Sequence, residues 1–191
     1  EELRQAGIDA EAAMMEATGG VNTHRGAIFC LGLALNAAWP VFSHDSAWRQ
    51  TPDLQPIIQK RLPEIAQTVL RNQQIYNNLA PRPARIKDAR AMALDGYREV
   101  FEEWLPYYRS LCHSERSEES PAILTLLRIM STLDDTCIIK RVGYDRAQEV
   151  KREAASAHDL KQLCQRYAAE RISPGGAADM LALTIFVDSI I

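Results

Sequence analysis

Two glycine-rich strings near opposite ends of the chain gather the residue types that hold anionic ligands. They are Gly19-Gly20-Val21-Asn22-Thr23-His24-Arg25-Gly26 and Ser173-Pro174-Gly175-Gly176-Ala177-Ala178-Asp179. Each sits where an apolar helical pattern begins. Backbone N–H groups, a helix N-terminus and small polar side chains would then converge, as a triphosphate requires. In the first string the sequence predicts Asn22 as N-cap, with His24 and Arg25 in the first helical turn. A neutral histidine there can donate to or accept from a substrate, and Arg25 adds a fixed positive charge. The bland alternative is an ordinary helix–helix turn.

The second string predicts Ser173 as N-cap and Pro174 at the first helical position. Glycine at both Gly175 and Gly176 costs up to about 1 kcal/mol each relative to alanine. Something approaching closely should compensate, either a ligand or a tightly packed helix. Asp179 follows in the second turn among apolar neighbours, where a carboxylate is usually paired or functional. A third cluster, Asp134-Asp135-Thr136, closes an apolar helical pattern and is followed by Lys140-Arg141. Carboxylates at a helix C-terminus oppose its dipole. The sequence therefore predicts Mg²⁺ ligands or general bases at Asp134 and Asp135, against the alternative of a solvated turn. His44-Asp45, with His24 before it and Asp134 after it, mimics the His…His-Asp…Asp order of HD-type metal phosphohydrolases, a competing reading.

The elements that must position these groups are almost all helical. A helix over 8–18 ends at Gly19-Gly20, a C-cap signal, and a second runs over 22–39 to Pro40. Leu54, Ile57, Ile58, Leu62, Ile65 and Val69 mark a third, with a kink expected at Pro56 or Pro63. Asn77-Asn78 and Pro81-Arg82-Pro83 read as loop. Val100, Phe101, Trp104, Leu105 and Tyr108 form one face of a fourth helix. Residues 113–120, HSERSEES, are a polar loop. Ile123, Leu126, Leu127, Met130 and Leu133 give a fifth helix, and 147–169 one amphipathic stretch. No segment alternates with period two for long enough to be a strand. The expected fold is all-α, a compact multi-helix bundle.

The 191 residues suffice for one domain with a real core. With 47% hydrophobic and 25% charged residues, the composition is that of an ordinary globular protein. A net charge of −3 argues against a nucleic-acid partner. No apolar run reaches the roughly 18–20 residues of a membrane span. Four scattered cysteines without a Cys-x-x-Cys pair, and a polar N-terminus without signal-peptide character, predict a reduced, cytoplasmic setting.

Taken together, GGVNTHRGAIFCLGL from Gly19, Asp134-Asp135-Thr136, and ISPGGAADMLALT from Ile172 resemble the triphosphoribosyl-dephospho-CoA synthase family. The segment Arg90…Gly96…Trp104-Leu105-Pro106-Tyr107 matches as well, so the resemblance spans nearly the whole chain. It implies an all-helical transferase making a prosthetic-group precursor for citrate lyase or malonate decarboxylase. The implied substrates are ATP and 3′-dephospho-CoA. The 2′-hydroxyl of dephospho-CoA would attack the anomeric carbon of ATP and expel adenine, a glycosyl transfer needing a base, an acid and charge stabilisation. The resemblance implies phosphate contacts from Gly19, Gly20, Gly175 and Gly176, with Asn22, Thr23, Arg25, Lys140, Arg141 and Ser173 assisting. His24 is the expected acid toward adenine, and Asp134, Asp135 or Asp179 the base or Mg²⁺ ligand.

The chain departs from the family pattern at Met92, Arg98, Cys137 and Val142-Gly143. An earlier Pro-Lys-Pro-Gly-Leu-Val-type string of the family is expected to lie before Glu1, so residues 1–191 are expected to form one domain lacking the family's N-terminal part. The alternative within the family is a truncated or diverged copy that binds nucleotide without turning it over.

Overall fold

A computed structural model describes residues 1–42, 54–71, 86–113 and 119–191. Among them it places ten α-helices and no strand, an all-α arrangement. They are α1 (Glu2–Ala17), α2 (Arg25–Phe42), α3 (Gln55–Leu70), α4 (Ala89–Leu94), α5 (Leu105–Cys112), α6 (Pro121–Thr132), α7 (Thr136–Val142), α8 (Tyr144–Ala155), α9 (Leu160–Ala169) and α10 (Gly175–Ile190). A π-helical turn, Val100–Trp104, leads into α5.

The core is built on helical spacing. On α2 the buried residues are Cys30, Leu33, Ala34, Ala37 and Ala38, a stripe at i, i+3, i+4, i+7 and i+8. On α10 they are Ala177, Met180, Leu183, Thr184 and Val187. Small residues on both stripes let the two helices approach closely, and α10 also packs on α6, α5, α7 and the π turn. Helix α10 is therefore the element that ties α2 to α5, α6 and α7. By contrast α1, packed on α2, buries no side chain of its own.

Several boundaries differ from the sequence expectation for identifiable reasons. Helix α1 starts at Glu2, well before residue 8, and closes at Gly19 and Gly20, whose φ of 64° and 87° suit glycine. Helix α3 runs unbroken through Pro63. The stretch 147–169 is two helices, because Asp159 caps α9 by accepting the Gln162 N–H. The fourth helix carries the π turn directly before Pro106. There the Leu105 N–H reaches back five residues to the Val100 carbonyl. That wide turn seats Trp104 in the core, where Nε1 donates to Thr132 Oγ1 at 3.1 Å. The expected loops at Asn77-Asn78 and Pro81-Arg82-Pro83, and the middle of the HSERSEES segment, lie outside the described residues.

Candidate active site

The short helix α7 decides how the site is organised. Helix α6 ends at Thr132, Leu133 leaves in an extended conformation, and Asp135 becomes the N-cap of α7. The dipole argument therefore changes sign. Asp135 faces the positive end of a helix and is stabilised there, correcting the expectation of an acidic C-terminus.

Its carboxylate serves two helices at once. Oδ1 accepts the N–H groups of Cys137 at 2.7 Å and Ile138 at 3.3 Å, at the start of α7. Oδ2 accepts the Ala177 N–H at 2.9 Å, at the start of α10 and 42 residues away in sequence. Helix α10 thus takes its cap from Asp135. Pro174, at the N-cap position, makes no side-chain cap bond, and Ser173 contributes only its carbonyl, to the Gly175 N–H. This corrects the expected Ser173 cap with Pro174 at the first helical position.

The glycines explain the close approach. A Cβ on Gly176 would come within 3.0 Å of the Asp135 carboxyl carbon, and one on Gly175 within 3.2 Å of Cys137 Sγ. The pair makes room for the start of α7, which is the tight-packing alternative raised by the sequence.

A second carboxylate repeats the device. Asp179 lies one turn beyond Gly176, on the same face of α10. It lies directly on Gly26, where any Cβ would overlap Asp179 Oδ2, and it accepts the Ala27 N–H at the start of α2. Asn22 Oδ1 accepts the Arg25 N–H at 3.1 Å, so α2 is capped locally and from a distance. Its first residue is Arg25, which leaves His24 just before the helix rather than inside its first turn.

Three helix N-termini, of α2, α7 and α10, are thereby joined by two aspartates. Burial raises the Asp135 carboxyl above the ordinary value, against four backbone N–H groups that favour its charge. Burial, then the neighbouring Asp135 charge, push Asp179 up to about 6, with the Ala27 N–H and His24 opposing. Around them lie Cys137, Cys30 and Tyr97. Cys30 Sγ donates to the Asp179 carbonyl at 3.7 Å. Burial, then Asp179, push its thiol up to about 12. The Tyr97 hydroxyl is buried without a hydrogen-bond partner, and the same charges act on it.

The remaining candidates divide. His24 is exposed beside Asp179, and its Nδ1 shares a 2.7 Å hydrogen bond with Thr23 Oγ1, which orients the ring. Arg25 pairs with Glu11 of α1 at 2.9 Å. Gly19 and Gly20 donate their N–H groups to the Glu16 and Met15 carbonyls, closing α1 in a Schellman motif. Lys140 and Arg141 stand exposed in the last turn of α7, about 9 Å of helix from Asp135.

Asp134 turns away altogether. Its Oδ1 accepts from Lys151 Nζ at 2.8 Å and Gln148 Nε2 at 3.0 Å, both on α8. Burial works to raise its carboxyl, yet these two partners hold it below the usual carboxylate range. Asp134 and Asp135 diverge and do not fit together as a Mg²⁺ pair. Among the described residues no group of three His, Cys, Asp or Glu is arranged to hold a metal ion. Of the HD-type order, His44 and Asp45 lie outside the described residues.

Sequence reasoning assigned no role to Gly26, Cys30 or Tyr97. Gly26 carried a usable signal, a glycine at the start of an otherwise strong helix. Tyr97 carried none, since its φ of 51° and complete burial are visible only in three dimensions.

Comparison with known proteins gives a consistent picture. Residues 1–191 match the family model for CitG, ATP:dephospho-CoA triphosphoribosyl transferase. A probable 2-(5″-triphosphoribosyl)-3′-dephosphocoenzyme-A synthase of Pseudomonas savastanoi pv. phaseolicola is 33% identical over 211 residues, covering 100% of this chain and 68% of the relative. The same named protein of Stutzerimonas stutzeri is 34% identical over 100% of this chain and 68% of its own length. That of Citrobacter koseri is 30% identical over 98% and 67%. No solved structure gives a significant match.

Proposed function

Since this chain belongs to the CitG family of ATP:dephospho-CoA triphosphoribosyl transferases, we propose that it forms 2-(5″-triphosphoribosyl)-3′-dephospho-CoA, the prosthetic-group precursor, at the Asp179–Asp135 cluster. The ribose 2′-hydroxyl of dephospho-CoA attacks C1′ of ATP. The new C1′–O bond forms as the C1′–N9 bond breaks, and adenine leaves while the triphosphate stays on the transferred ribose.

Asp179 takes the hydroxyl proton. Held near 6, its carboxylate is ionised at neutral pH and still more basic than an ordinary aspartate. The Asp179 carboxylate, set against Gly26 and the Ala27 N–H between His24 and Asp135, is the observation that supports the site assignment. The same negative charge, reinforced by Asp135, favours the oxocarbenium-like ring of the transition state. His24, exposed at the rim beside Asp179, hands a proton to the departing adenine. Arg25 exchanges its Glu11 partner for a phosphate oxygen, and Thr23 keeps the His24 ring in place. The four glycines shape the cluster, their turns being engaged in closing α1 and admitting α7.

Incubation with ATP, its Mg²⁺ counter-ion and dephospho-CoA should release free adenine in step with the coupled product, and none when either substrate is omitted. Release of ADP, AMP or pyrophosphate with adenine retained would overturn the assignment.

A further inference from the structure

Tyr97 is a fully buried polar residue that the reaction above does not employ. It closes α4 together with Gly96. The Tyr97 N–H returns to the Met92 carbonyl at 2.8 Å and the Gly96 N–H to that of Ala93 at 3.0 Å. Both residues are left-handed, Gly96 at φ 68° and Tyr97 at φ 51°. Glycine takes that conformation freely, whereas a bulky aromatic is disfavoured in it. The turn is seated on α3, since a Cβ on Gly96 would come within 3.3 Å of the Gln59 carbonyl oxygen and Pro63 Cδ. The fold thus tolerates backbone strain to place one phenol ring inside.

Among the described residues the Tyr97 hydroxyl has no hydrogen-bond partner. Native interiors satisfy nearly all such groups, because an orphaned one is costly. The charges that reach it belong to Cys30 of α2 and Asp179 of α10, two helices packed on each other. Neither is bonded to it directly. A single water spans a gap of that kind, and a buried water typically makes about three hydrogen bonds to groups otherwise unsatisfied.

We propose that Tyr97 is a positioning residue whose hydroxyl, through one buried water, holds the Asp179 carboxylate in place for the attacking 2′-hydroxyl. The inference rests on the transferase reading above. The water accepts from Tyr97 and donates to the Asp179 carboxylate and to Cys30 Sγ. The thiol's own proton goes to the Asp179 carbonyl at 3.7 Å. Burial raises the phenol far above its usual range, so the hydroxyl stays protonated and available as a donor. Held by the Ala27 N–H and by the water, the carboxylate keeps one orientation as substrate arrives. The other titratable groups facing Asp179 are Asp135 and Cys137 at the start of α7, and His24 and Cys30 at that of α2. Arg128 of α6 is committed to Glu103, and Arg109 of α5 to Asp188 near the far end of α10.

Tyr97→Phe keeps the ring and its backbone and removes only the oxygen. Carboxyl NMR on the substrate-free chain should show Asp179 titrating about one pH unit higher in the variant, a donor to its charged form being gone. The acid limb of the adenine-release profile should move with it, lowering kcat about fivefold at pH 6 and hardly at all at pH 8. A role confined to packing would leave that midpoint unmoved. A crystal structure of the wild-type chain should show an ordered water within hydrogen-bond distance of Tyr97 Oη and the Asp179 carboxylate. Coincident Asp179 titrations in the folded variant, or a crystal structure without that water, would overturn the proposal.

The two readings fail separately. Adenine release with an unmoved Asp179 titration removes the Tyr97 link and keeps the reaction. A displaced titration without adenine release keeps the link and removes the reaction.

Discussion

At the scale of single residues, Asp179, the proposed base, is held in its place at the expense of stability. Its folded-state pKa is raised from 3.8 to about 6, so folding disfavours its charged form. The stability it contributes is complete below about pH 4 and is lost as pH rises through about 6. Asp179→Asn keeps an acceptor for the Ala27 N–H and removes the charge facing Asp135. We expect it to melt above the wild type at pH 7–8, with the difference vanishing below pH 4. The same variant should lose turnover by about 10²–10⁴-fold. Wild-type activity should fall as pH drops through about 6 and the base becomes protonated. Thermal melts and a pH–rate profile check both signs. Gly26→Ala makes a complementary case. The methyl group improves helix propensity but occupies the position of Asp179 Oδ2. Helix content should be kept while kcat drops by about 10²-fold, as expected if the proposed base moves by an ångström.

At the scale of elements, Asp135 matters more as a joint than as an acid. It accepts N–H groups from α7 and α10, and each lost cap costs about 0.5–2 kcal/mol. Asp135→Ala should therefore lose roughly 1–4 kcal/mol in urea denaturation. Asp135→Asn should lose less, since one oxygen can still serve one helix. The helices themselves were largely legible: the starts of α2 and α10 in the two glycine strings, the apolar run of α6 and the Gly19-Gly20 stop are visible in the letters, although on α6 the buried residues are Thr125, Ile129 and Met130 and Ile123 stays exposed. What the letters hid was reach. Asp-Asp-Thr after an apolar helix reads equally as its tail or as the next helix's cap, and only the extended Leu133 decides between them. Helix α7 had its signals too, Asp135 before it and Gly143 at φ 83° after it, but seven residues are too few for periodicity to register. Ser173 looked like the natural cap of α10, and a carboxylate 42 residues upstream took its place.

At the scale of the whole molecule, the two glycine strings were visible as a pair, but their roles were not. They meet because α10 packs along α2, bringing Asp179 onto Gly26. The partnership of Asp134 with Lys151, away from Asp135, depends on where α8 returns, which no local pattern encodes. The shared aspartate also affects how the protein breathes. Amides that open a helix normally exchange with solvent deuterium fastest, because nothing in the helix accepts from them. Here the amides of Cys137, Ile138 and Ala177 are tied to one buried carboxylate. Deuterium uptake followed by mass spectrometry or NMR should find these three among the slow amides, exchanging at a common rate. The floor of the proposed site would then move as a single rigid plate, the three amides that open its helices breathing together or not at all.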